Sequence, residues 1–150
     1  MIMRVRPFAA EDLEAVLVIE QQAFATPWTR RMFEESVQSP GVAMVVMERA
    51  TQILGYACVR IVLDEAELLT IAVARTAQRQ GIGKALLQWG ITHAHAAQVR
   101  HMFLEVRASN HSAQQLYVRC GFEALGVRRA YYNSPTEDAI IMGRHFHDGD

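Results

Sequence analysis

Weak alternation of apolar and polar side chains over residues 3–8 predicts a first strand. From Leu13 the period lengthens. Leu13, Val16, Leu17 and Phe24 mark one helical face, and Glu11 and Asp12 stand ahead of them, where a helix dipole favours acids. Glu20 lies on the same stripe, either as a solvated edge position or as a carboxylate facing a substrate groove. Pro27 breaks this helix. Thr29 is placed to cap a second one carrying Met32, Phe33 and Val37, which Ser39-Pro40-Gly41 ends. Residues 42–48, 53–63 and 66–73 read as three strands joined by tight turns, an antiparallel meander. Ile82, Leu86, Trp89 and His93 then restore a helical period, and 101–106 returns to strand. Asn110 is placed to cap a helix whose inner face is Ala113, Leu116, Tyr117 and Cys120. Gly121 suits the left-handed position that ends it. Residues 122–129 and 138–145 complete the pattern as two more strands. The order predicts an α/β (α+β) fold with a mixed central sheet of about seven strands and about four helices. It reads as a single domain over residues 1–150, without repeat or linker.

The pattern turns about Gln78-Arg79-Gln80-Gly81-Ile82-Gly83, which joins an apolar strand to the start of a long helix. Backbone N–H groups at a helix N-terminus point outward, and the dipole there favours an anion. Two glycines let a ligand approach where a Cβ would hold it off. The chemistry this predicts is a pyrophosphate cradle; the alternative is a purely structural turn. Two phosphate loops are excluded. A Walker loop needs Ser or Thr after Gly-Lys and a glycine five residues earlier, where this chain has Ala85 and Gln78. A dinucleotide fingerprint needs a third glycine where Leu86 stands.

Composition narrows the classes. Hydrophobic residues make up 51% of 150, which excludes a disordered chain. A net charge of −1 gives no overall basic field for nucleic acid. Cys58 and Cys120 lie far apart with no C-x-x-C, as expected of reduced thiols rather than a disulfide framework or zinc site. His93 and His95 are two apart and do not share a helix face, so no metal is expected there. No apolar run approaches the ~18 residues of a membrane span, and no signal core is present. A cytoplasmic protein without a membrane partner is expected.

Glu105 interrupts the apolar strand Met102-Phe103-Leu104-Glu105-Val106 and shares a face with Phe103. Carboxylates in such places are rare unless paired. Glu105 is either the ion partner of one of the many arginines or a general base. Tyr117 is either a core tyrosine or a polar group facing the same cleft, because only residues 107–110 separate strand from helix.

The turn at 78–83 resembles the coenzyme A loop of the GNAT superfamily of N-acetyltransferases. So do other segments, in the form found in bacterial ribosomal-protein-alanine N-acetyltransferases: Ile19-Glu20 with Pro27-Trp28, Val62-Leu63-Asp64-Glu65-Ala66, Leu104-Glu105-Val106-Arg107-Ala108-Ser109-Asn110, Leu116-Tyr117, Cys120-Gly121-Phe122, Arg128-Arg129 with Tyr131-Tyr132, and 137–142. They span most of the chain. Departures are Ala74-Arg75-Thr76-Ala77, which lacks the usual Asp-Pro, and the tail 143–150.

The resemblance implies the GNAT fold, acetyl-CoA as co-substrate, no metal, and acetylation of a protein N-terminal α-amine. The expected target is the N-terminal alanine of a small-subunit ribosomal protein. It implies Glu105 as proton acceptor and Tyr117 as proton donor. Acetyl-CoA contacts are implied for Ile71, Ala72, Val73, Arg79, Gln80, Gly81, Ile82, Gly83, Lys84 and Asn110. Trp28, Tyr131 and Tyr132, with Glu20, are implied to hold the peptide. In the family the strand ending at Val73 splays from its neighbour and offers a backbone N–H to the thioester carbonyl. Acetylation of a small amine or a lysine, and a non-catalytic acyl-CoA-binding module, are the competing readings.

Overall fold

The computed structural model of the chain describes residues 2–147. Strand β1 (Met3–Pro7) leads through a 3₁₀ turn (Ala10–Asp12) into α1 (Leu13–Ala23) and α2 (Arg30–Gln38). The meander follows as β2 (Val42–Arg49), β3 (Gln52–Val62) and β4 (Glu65–Val73). Next come a 3₁₀ turn (Arg75–Ala77), α3 (Ile82–Ala96), β5 (His101–Arg107), α4 (His111–Arg119), β6 (Glu123–Tyr132) and β7 (Glu137–His145). The seven strands form one sheet in the order β1-β2-β3-β4-β5-β7-β6. Only β4 and β5 run parallel, as a strand–helix–strand crossover requires. Seven strands in one mixed sheet with four α-helices match the architecture expected from the sequence.

Each face of the sheet has its own core. Leu13, Val16, Leu17 and Ile19 of α1 and Phe33 of α2 pack with Met44, Val46, Tyr56 and Cys58 on one side. Leu87, Ile91 and Ala94 of α3 and Tyr117 of α4 pack with Leu68, Met102, Leu104 and Met142 on the other.

The predicted caps are present: Thr29 accepts a hydrogen bond from Met32 N–H at 3.2 Å, and Asn110 Oδ1 accepts one from Ala113 N–H at 3.2 Å. Gly121 is left-handed, with φ +93°. Glu11 and Asp12 stand in the opening turn as expected, and the Asp12 carboxylate also accepts from both terminal nitrogens of Arg6 at 2.8 Å and from the Ala9 N–H at 2.8 Å. Two details differ from expectation. Phe24 lies just past α1 in extended backbone. The last hairpin is longer than its apolar pattern, because β6 continues through Arg129 to Tyr132.

The site is positioned by a fault in the sheet. Val59 pairs with Leu68 and Cys58 with Thr70, so Leu69 bulges. On its other side β4 pairs with β5 only at Glu65, Ala66 and Glu67. Beyond Glu67 the two parallel strands separate.

Candidate active site

The opening between β4 and β5 leaves half of β4 with one edge unpaired. Ala74 N–H donates to Leu54 O at 2.8 Å, toward β3. Donors alternate along a strand, so the N–H groups of Ile71 and Val73 point to the opposite side, into the opening. Ala72 turns its side chain into the α1 core.

At the end of β4 the chain makes the glycine turn. Gly81, with φ +78°, is the N-cap of α3, and Arg79 is also left-handed, with φ +64°. Alanine-like geometry at Gly81 would cost ~1–2 kcal/mol. No side chain caps α3 and its first turn contains no acid. Ala85 N–H returns to Gly81 O at 3.0 Å. The N–H groups of Ile82, Gly83 and Lys84, still earlier in the helix, therefore have no carbonyl within it to bond, and the dipole stands without a countercharge. An added Cβ at Gly81 would meet no atom within 4 Å, so the turn is open above this residue. At Gly83 it would meet Leu116 of α4 at 3.6 Å and Val73 at 3.7 Å, which puts the α3 N-terminus against both walls of the opening. Gln80 Oε1 accepts from Arg49 at 3.2 Å. These groups fit a pyrophosphate with a pantetheine arm laid along Ile71, Ala72 and Val73. Asn110, as cap of α4, spends its Oδ1 on Ala113 and Ser112.

The other half of the site stands on β5 and the β6–β7 hairpin. Glu105 is partly exposed, and Arg128 Nε is 3.4 Å from its Oε1. The charge and hydrogen bonding of Glu105 raise the Tyr131 phenol above its ordinary range. Tyr132 is pushed up to about 12 by burial and then by Glu105. Tyr117 is 6% exposed, and burial, followed by the neighbouring Tyr132, pushes it up to about 12. Glu105, Tyr131, Tyr132 and Tyr117 thus form one electrostatic group, in which the phenols keep their protons at neutral pH.

Arg107 fixes the hairpin. Its guanidinium lies 4.5 Å from the Tyr132 ring centroid and donates to Asn133 O at 3.1 Å, Pro135 O at 3.1 Å and Glu137 at 3.2 Å. Glu137 also accepts the Ser109 N–H at 2.5 Å; hydrogen bonding from the Ser109 side chain first, then from its backbone and from Arg107, holds the carboxyl below the usual range. Thr26 donates to Asn133 O at 3.3 Å, tying the α1–α2 loop to the hairpin tip. Trp28 is half-buried in that loop, its ring 5.0 Å from Phe33.

Glu20 is placed differently from the sequence expectation. It does not face a groove; it is 1% exposed and accepts from Trp28 N–H at 2.9 Å, Thr70 Oγ1 at 3.2 Å and the Tyr56 hydroxyl.

Sequence reading missed Arg107 and Thr26 as organisers of the site. Arg107 was legible only as the residue after Glu105-Val106, and Thr26 as part of a loop break. Among the described residues, no three His, Cys, Asp or Glu side chains converge to hold a metal ion. A surface cavity of about 440 Å³ beside His111, Gln114, Gln115, Val118 and Arg119 includes none of the predicted site residues in its lining.

Comparison with known proteins agrees with this architecture. The sequence model of the acetyltransferase (GNAT) family matches residues 13–122. The chain is 41% identical over 133 residues to the [ribosomal protein bS18]-alanine N-acetyltransferase of Escherichia coli (strain K12), covering 87% of this chain and 89% of that one. It is 37% identical over 134 residues to the protein of that name from Haemophilus influenzae, covering 87% and 90%. The crystal structure of the Escherichia coli ribosomal-protein-S18-alanine N-acetyltransferase superposes with a TM-score of 0.89 over 99% of each chain, at 35% identity. The Ard1 structure from Thermoplasma volcanium shares the fold, with a TM-score of 0.90 at 23% identity. The chain belongs to the GNAT acetyltransferase family.

Proposed function

We propose that this GNAT acetyltransferase transfers the acetyl group of acetyl-CoA to the N-terminal α-amine of a protein in the cytoplasm, foremost the N-terminal alanine of a small-subunit ribosomal protein. The observation that carries the reading is the separation of β4 from β5 beyond Glu67, which leaves an unpaired strand edge running to the uncapped N-terminus of α3, with Glu105 on β5 past the last paired residue. The names of the relatives, which act on ribosomal protein bS18, support the substrate.

Bound acetyl-CoA supplies an activated thioester. The turn 79–84 holds its pyrophosphate with backbone N–H groups, and Ile71 and Val73 hold the arm. Their outward N–H groups stand ready to stabilise negative charge on a carbonyl oxygen. The attacking amine must be neutral. An α-amine with a pKa of about 7.7–8.0 is roughly a tenth to a fifth neutral near pH 7. A lysine amine needs about 3.4 kcal/mol more.

Glu105 accepts the ammonium proton, directly or through water, a contribution typically worth ~10²–10⁴ in rate. With its phenol near 12, Tyr117 would lose about 5 kcal/mol in handing a full proton to a thiolate of pKa near 8.5. Its role is therefore to hydrogen-bond the departing sulfur. Trp28 on one side and Tyr131 and Tyr132 on the other hold the peptide N-terminus.

The test is release of free CoA with an alanine-initiated peptide, set beside a panel of polyamines and other small amines. Turnover confined to the small amines would overturn the reading.

A further inference from the structure

A buried carboxylate without an ionic partner is costly unless hydrogen bonds satisfy it. Glu20 is such a group, at 1% exposure, and its bonds reach out to three other elements. It stands on α1. Oε2 accepts the Trp28 N–H at 2.9 Å, in the loop before α2. Oε1 accepts the Tyr56 hydroxyl on β3 and the Thr70 hydroxyl, at 3.2 Å, on β4. Thr70 follows the Leu69 bulge and precedes Ile71, whose N–H faces the opening.

A second route closes the circle. Tyr56 meets Phe33 edge-on with centroids 6.0 Å apart, and Phe33 meets Trp28 at 5.0 Å. Phe33 and Tyr56 are both fully buried. Trp28 is therefore held twice, by its backbone to Glu20 and by its ring through Phe33 and Tyr56, and both holds end on Glu20 or its partner.

We infer that Glu20 is a positioning residue: it fixes the Trp28 wall of the acceptor site against β4, the strand that holds the acyl arm, and touches neither substrate. This deepens the function proposed above and rests on it for the identity of the substrate. Two hydroxyls and one N–H converge on the carboxylate. An amide in its place can accept from the Trp28 N–H through its oxygen and donate to the two hydroxyls, which turn to accept. A thioether of similar length serves neither need. Glu20→Gln should preserve the joint and Glu20→Met should break it.

Kinetics and a probe independent of turnover test this together. In Glu20→Met the KM for an alanine-initiated peptide rises at least about tenfold, while acetyl-CoA affinity stays within about twofold and kcat within about threefold. Glu20→Gln restores the peptide KM. The chain has two tryptophans, so a Trp89→Phe background leaves Trp28 as the one reporter. There, Glu20→Met increases acrylamide quenching of Trp28 fluorescence about twofold, and Glu20→Gln does not. Unchanged peptide KM and unchanged quenching in Glu20→Met would overturn the inference. So would equal losses of peptide and acetyl-CoA binding alongside a lower Tm, which mark general loosening. If the parent enzyme acetylates no peptide, the proposed function fails, and the quenching result alone decides whether Glu20 holds Trp28.

Discussion

The Nε of Arg128 stands 3.4 Å from Oε1 of Glu105. The sequence left two roles open for this carboxylate, ion partner or base, and the structure supplies the partner. The pair does not displace the catalytic reading, because the Arg128 side chain is 56% exposed and an exposed pair contributes at most about 1 kcal/mol. An incoming ammonium group can take the place of the guanidinium.

The two roles separate by mutation. Arg128→Gln should change stability by less than about 1 kcal/mol and leave most of the turnover. Glu105→Gln should lower kcat by roughly 10²–10⁴ while acetyl-CoA affinity stays nearly intact. Steady-state kinetics with calorimetric titration of acetyl-CoA checks both. Equal turnover by Glu105→Gln and the parent would remove Glu105 as the base.

Tyr117 leaves a mark in the pH profile. Its phenol is held near 12 by burial, so its ionisation gives no alkaline limb between pH 7 and 10. Tyr117→Phe should lower kcat without altering the shape of the profile in that range. A limb near pH 9 that vanishes in Tyr117→Phe would instead mark it as a titrating acid.

The two glycines of the turn should separate by mechanism. Gly81 is left-handed, and Gly81→Ala should cost about 1–2 kcal/mol of stability, read in a denaturant titration. Gly83 sits within α3, where an added Cβ finds ordinary contacts at 3.6 and 3.7 Å, and alanine is the better helix former by ~1 kcal/mol. Gly83→Ala should fold at least as well as the parent. If Val73, Leu116 and this turn enclose acetyl-CoA, its affinity should still fall about tenfold, or 1.4 kcal/mol. Unchanged affinity in both variants would count against the cradle.

Stability against pH should move in opposite directions for two buried acids. Burial raises the Glu20 carboxyl, so the fold favours its protonated form, and the stability that form confers is lost as pH rises through the raised value. Glu20→Gln should therefore gain on the parent above that value and match it below pH 4.5. The Arg6 hydrogen bonds lower the Asp12 carboxyl, whose contribution is present above its ordinary value of 3.8 and lost as pH falls through the lowered one. Asp12→Asn should be the weaker protein at neutral pH and converge with the parent only in acid. Tm measured from pH 3 to 8 reads both.

What could be read in the sequence follows from how local each signal is. The caps at Thr29 and Asn110 and the turn at Gly81 are set by residues within one helical turn, and all three stand where the pattern put them. Strand order was not legible, because β7 reaching between β5 and β6 depends on contacts tens of residues apart. Glu20 shows the limit most clearly. Its place on the apolar stripe was visible, but the hydroxyls that make burial tolerable come from Tyr56 and Thr70, on strands 36 and 50 residues away. The hairpin tip depends likewise on Thr26 reaching Asn133 across 107 residues.

The most direct test of the central claim is where the acetyl group goes. A peptide with a free N-terminal alanine and one internal lysine, incubated with the enzyme and acetyl-CoA, should carry one acetyl group on the α-amine by tandem mass spectrometry. The same peptide with a blocked N-terminus should stay unmodified. Acetylation of the lysine in either peptide, with the α-amine untouched, would contradict the account.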